Sequence, residues 1–134
     1  MNIILIDYSE RYYADVAGTA LPEVRSGKFV QIRTRDSEYI LLSPKEFTPY
    51  HADLVRKFCL EKGINGSYDI ERKRFDIAGA EWVVAGGGKF EINAMQRYIY
   101  FYDDSLAYGK FDSEGLKEKV HQIAALSDYE VRTA

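Results

Sequence analysis

The stretch Tyr98-Ile99-Tyr100-Phe101-Tyr102 constrains the fold of this chain most, because β-branched and aromatic residues fill every position. Both of its alternating faces are apolar or aromatic, which predicts a strand buried on both faces near the centre of a sheet. A central strand needs partners on each edge, so other segments must supply strands. Weaker strand patterning recurs at 3–7, 28–33, 39–42, 67–71, 75–78, 82–85 and 129–133.

Helical patterning appears in only two places. The first predicted helix starts at Thr48-Pro49, where threonine can cap and proline suits the first helical position, and it stops at Gly63. The second is predicted over residues 113–125, with Asp112 or Ser113 as its cap. Many strands with two separated helices predict an α+β fold, in which two helices pack on a mixed β-sheet of about six strands.

Composition limits the class of protein. The length of 134 residues predicts a single domain over 1–134, within which residues 1–27 carry the least decipherable pattern. A net charge of −3 argues against broad nucleic-acid binding. The lone Cys59 reads as a buried thiol of a reducing compartment, so we expect a cytoplasmic protein. The apolar run 3–6 is far below the ~20 residues that span a bilayer, and no membrane association is expected.

His51 is the first candidate for chemistry. It lies just after Pro49, at the third residue of the predicted helix, where its own N–H and that of Ala52 point off the helix end. Such N–H groups bind anions, and the positive helix end disfavours imidazolium, which leaves an acceptor nitrogen at neutral pH. A lone histidine at a helix start more often packs or caps, so the position alone does not decide its role.

Two glycine-containing segments are candidates for binding a phosphate. Gly86-Gly87-Gly88-Lys89 follows a short predicted strand, and successive N–H groups of Gly87 and Gly88 can form an anion-binding nest beside the Lys89 charge. Ser105-Leu106-Ala107 follows the tyrosine-rich strand and can present a hydroxyl and backbone N–H groups. Taken alone, each segment is more simply an ordinary turn.

Lys28 opens a predicted strand and is a further candidate, as a point charge for a phosphate or as an exposed strand-edge lysine. Arg72-Lys73-Arg74 reads as a solvated hairpin tip. The two histidines and one cysteine lie far apart, so the chain has no metal-ligand spacing, and neither a metal nor another cofactor is expected.

In their order and approximate spacing, these segments resemble the Janus/Ocnus family of small phosphohistidine phosphatases from about residue 28 to the C-terminus. The segments that carry the resemblance are Lys28–Arg33, Tyr50-His51-Ala52-Asp53, Gly86-Gly87-Gly88-Lys89, Ser105-Leu106-Ala107-Tyr108-Gly109 and Tyr129-Glu130-Val131. Each motif is weak by itself, whereas the series is quite specific. The resemblance implies a small domain with helices packed on a mixed sheet.

The resemblance also implies roles for individual residues. His51 would be the catalytic histidine, Lys28 and Lys89 would bind the phosphoryl group, and Ser105 with the N–H groups of Ala52 and Ala107 would contact it. This chain departs from the family in three places. The animal member of the family has arginine where this chain has Lys89, and residues 1–27 do not match. The stretch from 63 to 86 is also longer, with an added hairpin.

The sequence therefore predicts a metal-independent protein phosphohistidine phosphatase that hydrolyses N-linked phosphate, with His51 as the general base that activates water. A covalent route with His51 as nucleophile is an open variant, and a non-catalytic phosphate- or phosphoprotein-binding module is the alternative class. The expected partner is a phosphohistidine-containing protein or a small phosphoramidate, bound by a monomer. Preference among phosphohistidine, phospholysine and phosphoarginine stays open.

Overall fold

Eight strands appear in the computed structural model, which describes residues 1–134. They are β1 (Asn2–Asp7), β2 (Val24–Arg33), β3 (Ser37–Ser43), β4 (Gly66–Tyr68), β5 (Phe75–Ile77), β6 (Val83–Asn93), β7 (Tyr98–Tyr102) and β8 (Glu130–Thr133). Six of them form one sheet in the order β1-β3-β2-β6-β7-β8, and β4 pairs with β5 in a separate hairpin.

The six-stranded sheet is mixed. The β1–β3 and β7–β8 pairs are parallel, whereas β2–β3, β2–β6 and β6–β7 are antiparallel. The predicted α+β fold with a mixed sheet of about six strands is confirmed. The long β2–β6 pair runs from Val24 opposite Asn93 to Arg33 opposite Val83 and forms the middle of the sheet.

Three short or medium α-helices accompany the sheet. They are α1 (Ser9–Arg11), which continues as a π-helix over Tyr12–Ala17, α2 (His51–Lys62), and α3 (Leu116–His121), which is followed by a 3₁₀ turn over Ala124–Leu126. None of these helices combines the length and the apolar composition that crossing a membrane requires.

The core lies on both faces of the sheet. Because side chains alternate along β2, Val30 packs with Phe58 of α2 on one face, whereas Phe29 packs with Leu116 of α3 on the other. The two helices therefore lie on opposite faces. Cys59 lies on the buried face of α2, as the sequence predicts, and burial raises the pKa of its thiol to about 11.

Helix α2 begins two residues later than predicted. Thr48 is buried in a turn in which its N–H donates to the carbonyl of Pro44, and Tyr50 is the extended residue before the helix. His51 is therefore the first helical residue instead of the third, a position where its N–H group lacks an acceptor one turn earlier. The predicted stop is confirmed, since Gly63 ends α2 with φ of +69°.

The second helix is shorter than the predicted span of 113–125. Gly115, in a left-handed conformation, precedes α3, and the extended backbone of Ile123 separates α3 from the 3₁₀ turn. Asp112 does not cap it. Its Oδ1 accepts the N–H of Glu114 at 3.0 Å in the turn that precedes α3, while its Oδ2 accepts from Arg33 of β2 at 2.8 Å.

The tyrosine-rich strand β7 has partners on both edges but is buried on only one face. Ile99 and Phe101 are fully buried on the face that packs against α3, whereas the three tyrosines are half-buried on the opposite face. Ser26 and Gly27 both lie within β2, which begins four residues before the predicted strand at 28–33. A Cβ on Gly27 would meet the carbonyl oxygen of Ser43 at 2.1 Å, so glycine permits close strand pairing there.

Candidate functional site

The ring of His51 lies against strand β6, where Nε2 is 2.8 Å from the carbonyl oxygen of Gly88. A carbonyl only accepts hydrogen bonds, so Nε2 carries the proton and Nδ1 of the neutral ring carries the lone pair. Nδ1 has no hydrogen-bond partner within the protein and is not enclosed. One bond thus sets both the orientation and the tautomer of the ring, as a general base requires.

Burial is the largest cause that holds the pKa of His51 below its usual value, and the nearby charge of Lys28 acts in the same direction. The hydrogen bond to Gly88 and the carboxylates of Asp103 and Asp104 oppose this shift. The ring is therefore neutral at pH 7. The sequence predicted a neutral histidine from the helix end, whereas burial is the larger cause.

Lys28 of β2 and Lys89 of β6 lie directly opposite one another in the antiparallel pair. Cβ atoms in such a pair are about 4.5–5.5 Å apart, so the two like charges destabilise one another. Lys89 is compensated, since its Nζ lies 3.1 Å from Oδ2 of Asp103. Lys28 has no ion pair, and burial followed by the charge of Lys89 lowers its pKa. A bound anion would relieve this repulsion.

Backbone N–H groups without a protein acceptor come from two separate segments. His51 and Ala52 begin α2 and so lack acceptors one turn earlier. Leu106 and Ala107 form the tip of the loop after β7, and neither N–H donates within the protein. The helix start and the loop tip together offer an anion donors from two directions.

Ser105 supports this loop from a buried position. Its Oγ accepts the N–H of Tyr108 at 3.1 Å, which leaves the hydroxyl proton free to donate. Its backbone N–H and C=O both pair with Gly109, at 3.2 and 2.8 Å. Ser105 is only 3% exposed, so it anchors the loop beneath the surface that Leu106 and Ala107 present.

The three successive glycines do not form the predicted anion-binding turn, because they lie within strand β6. The N–H of Gly87 is already bonded to the carbonyl of Gly109 at 3.0 Å. A Cβ on Gly87 would meet Cδ2 of His51 at 3.0 Å and Cβ of Ser105 at 3.3 Å. Glycine at this position lets the histidine and the serine loop approach the strand, while Gly88 orients His51.

An open pocket of about 760 Å³ brings most of the predicted residues together. Lys28, His51, Lys89, Leu106 and Ala107 line it. The other four candidates are not among the lining residues but lie next to residues that are: Ala52, Gly87, Gly88 and Ser105. Residues from two strands, a helix start and a loop, far apart in sequence, therefore meet at one opening.

No protein-family model and no curated protein matches this chain. In the structure itself, no group of three or more His, Cys, Asp or Glu side chains is placed to hold a metal ion. The pocket offers, among other groups, a neutral imidazole acceptor, ammonium groups and free N–H groups. Such a set can bind a tetrahedral anion and remove a proton beside it.

Sequence reasoning missed several residues that line the same pocket, namely Tyr50, Glu71, Arg72, Lys73, Asp103 and Asp104. Tyr50 precedes a helix start that the pattern placed elsewhere. The segment Arg72-Lys73-Arg74 was interpreted as solvated, and only the extra length between 63 and 86 signalled a special role. Asp103 and Asp104 directly precede the serine loop, and this neighbourhood is the only local sign in the sequence that they line the pocket.

Two tyrosine hydroxyls hold the β4–β5 hairpin against the site. The hydroxyl of Tyr108 donates to the carbonyl of Phe75 at 2.7 Å and accepts the N–H of the same residue at 2.9 Å. The hydroxyl of Tyr68 donates to Oδ1 of Asp53 in α2 at 2.8 Å. The hairpin is thus fastened to the serine loop and to the first turn of α2.

Proposed function

We propose that this chain is a metal-independent protein phosphohistidine phosphatase that hydrolyses N-linked phosphate. The observation that carries the proposal is the neutral His51 ring, fixed by Gly88, in one pocket with the opposed ammonium groups of Lys28 and Lys89. The ordered resemblance to the Janus/Ocnus family supports the same reaction. We infer a cytoplasmic monomer that needs no cofactor and binds no nucleic acid.

His51 acts as the general base in the proposed reaction. Its Nδ1 takes a proton from water as the water oxygen forms a bond to phosphorus. The P–N bond breaks in the same displacement, and the electron pair leaves with the substrate imidazole, which departs neutral because its other nitrogen carries a proton. General-base assistance of this kind is worth about 10²–10⁴ in rate.

The cations and N–H groups hold the phosphoryl oxygens. Lys28 and Lys89 approach from the sheet, while the N–H groups of Ala52 and Ala107 approach from the helix start and the loop. The backbone holds the N–H groups in place before the reaction, so little reorganisation of these groups accompanies the redistribution of charge. A route with His51 as nucleophile uses the same groups and leaves a phosphorylated His51 during turnover.

A second candidate is a non-catalytic phosphate-binding module. The observation that favours it is the Lys89–Asp103 ion pair, which leaves Lys28 as the one uncompensated lysine beside His51. Binding of a phosphorylated peptide without turnover is the behaviour expected of such a module.

Phosphate release separates the two candidates. We expect the wild-type chain to release phosphate from a phosphohistidine peptide at equal rates with and without EDTA. Its rates on phospholysine and phosphoarginine peptides, measured in the same assay, define its substrate preference. Uncatalysed hydrolysis at each pH is the blank. Tight binding of the peptides with phosphate release at the blank rate would assign the module instead.

Lys28→Met is expected to weaken function while it raises stability. Loss of a charged hydrogen-bond donor to phosphate costs about 1.5–3 kcal/mol, or roughly ten- to a hundredfold in kcat/KM. Removal of a half-buried charge opposite Lys89 relieves a repulsion of about 0.2–1 kcal/mol, so the urea midpoint should rise. Lys117→Met on the exposed side of α3 is the control. Unchanged kcat/KM in Lys28→Met would remove this lysine from the site.

A further inference from the structure

The tip of the β4–β5 hairpin brings further charged side chains to the pocket that holds His51. Glu71, Arg72 and Lys73 all line it. Lys73 is compensated, because its Nζ lies 3.0 Å from Oε2 of Glu71. Arg72 has neither an ion pair nor a hydrogen bond from its side chain, so its guanidinium remains available to an anion in the pocket.

Arg72 is held in position although it is exposed. Its Cζ lies 4.3 Å from the ring centre of Tyr68, whose hydroxyl donates to Asp53. The other carboxylate oxygen of Asp53 accepts the N–H of Tyr50, directly before His51. Stacking covers a face of the guanidinium and leaves the N–H groups at its edge free for a carboxylate. A chain of contacts thus connects Arg72 to the start of α2.

The open surface is larger than a phosphate needs. The pocket volume of about 760 Å³ is within the range of sites that enclose drug-sized ligands. A second groove of about 340 Å³ shares Lys28 and Lys89 with it and is lined further on by the start of β2 and by Lys45, which follows β3. The surface therefore continues past the two lysines, as a polypeptide that runs through the site requires.

We propose that the substrate is a phosphorylated histidine within an acidic polypeptide segment, and that Arg72 binds a carboxylate of that segment. This inference rests on the proposed phosphatase function and identifies its substrate class. Lys28 and Lys89 take the phosphoryl group, and Arg72 takes the second negative charge at the hairpin side of the pocket. Arg72 is then a specificity-determining residue and takes no part in the displacement.

The test compares two phosphohistidine peptides of equal length, one with Asp and Glu on both sides of the phosphorylated residue and one with Ser and Gln. We expect wild type to show the lower KM for the acidic peptide. Arg72→Gln should raise that KM about two- to fivefold, the range of an exposed ion pair, without a change in kcat or in KM for the neutral peptide. Arg72→Lys, which keeps the charge, should raise the KM for the acidic peptide less than Arg72→Gln does.

Arg74→Gln is the matched control, because Arg74 lies on the same hairpin but does not line the pocket and bonds to Asp76 at 2.6 Å. It should leave both KM values unchanged. An equal KM of wild type for the two peptides would overturn the inference, and so would an equal effect of Arg72→Gln on both. Free phosphohistidine turned over more efficiently than either peptide would assign a small-molecule substrate.

Binding of the same peptides with a non-hydrolysable phosphonate in place of the phosphoramidate separates this inference from the phosphatase proposal. If no peptide is hydrolysed, the phosphatase proposal fails. The Kd values then decide on Arg72 alone: selective loss of affinity for the acidic phosphonate peptide in Arg72→Gln supports its role. Equal Kd values of wild type and Arg72→Gln for the acidic peptide overturn it.

Discussion

His51→Ala is expected to lower kcat for a phosphohistidine peptide by about 10²–10⁴ while the protein stays folded. The reason is that Nδ1 of His51 is the acceptor nitrogen that the pocket offers to the attacking water, held by the bond from Nε2 to Gly88. The measurement is initial phosphate release, together with circular dichroism and a thermal melt. Turnover near the wild-type rate would contradict the general-base role.

The chain contains a matched control for this substitution. His121 is the other histidine, and its Nε2 donates to the carbonyl of Tyr129 at the opposite face of the sheet. His121→Ala removes a comparable hydrogen bond outside the pocket, so it should affect stability and leave kcat unchanged. A mass-spectrometric search for phosphorylated His51 during turnover separates the base from the nucleophile.

The pH dependence of the wild type follows from the direction of the shift. Burial lowers the pKa of His51 from 6.5, so the ring stays neutral until the pH falls below the ordinary histidine range. The acid limb of the pH profile of kcat/KM should therefore lie below the ordinary histidine range, and it should be absent in His51→Ala. In the unfolded state His51 has the ordinary pKa of 6.5 and binds a proton more readily than in the folded state. The contribution of neutral His51 to folding stability is therefore complete above about pH 6.5 and is lost as the pH falls through the folded-state pKa.

Gly87→Ala is expected to have the second-largest effect. Its Cβ would lie 2.7 Å from the carbonyl oxygen of Phe29, 3.0 Å from Cδ2 of His51 and 3.3 Å from Cβ of Ser105. The histidine and the serine loop must then shift. Overpacking of this kind costs about 1–3 kcal/mol, and a displacement of about 1 Å at a reacting group can cost about 10² in kcat.

Gly18→Ala controls for lost stability. Nothing lies within 4 Å of a Cβ at Gly18, but its φ of +68° makes alanine unfavourable by about 1–2 kcal/mol. Urea unfolding should show comparable destabilisation of both variants, whereas kcat at a temperature where both are folded should fall only in Gly87→Ala. Normal kcat in folded Gly87→Ala would mean that the ring of His51 tolerates displacement.

Local pattern was enough to predict much of the fold. The strands β1, β3, β7 and β8 and the stop of α2 at Gly63 follow from alternation and turn chemistry, which act between near neighbours. The predictions failed where a distant contact decided the outcome. The Gly86-Gly87-Gly88 segment is a strand because β2 pairs with it.

The sequence by itself determined an α+β chain with a histidine at a helix start and lysines and a serine loop that suit a phosphate. Only the tertiary structure decided that Lys28 lies opposite Lys89, that Nε2 of His51 donates to Gly88, and that the hairpin turns Arg72 into the pocket. The physical reason is range: helix and strand patterns arise from neighbours along the chain, whereas register, burial and tautomer depend on partners that folding brings together from distant positions.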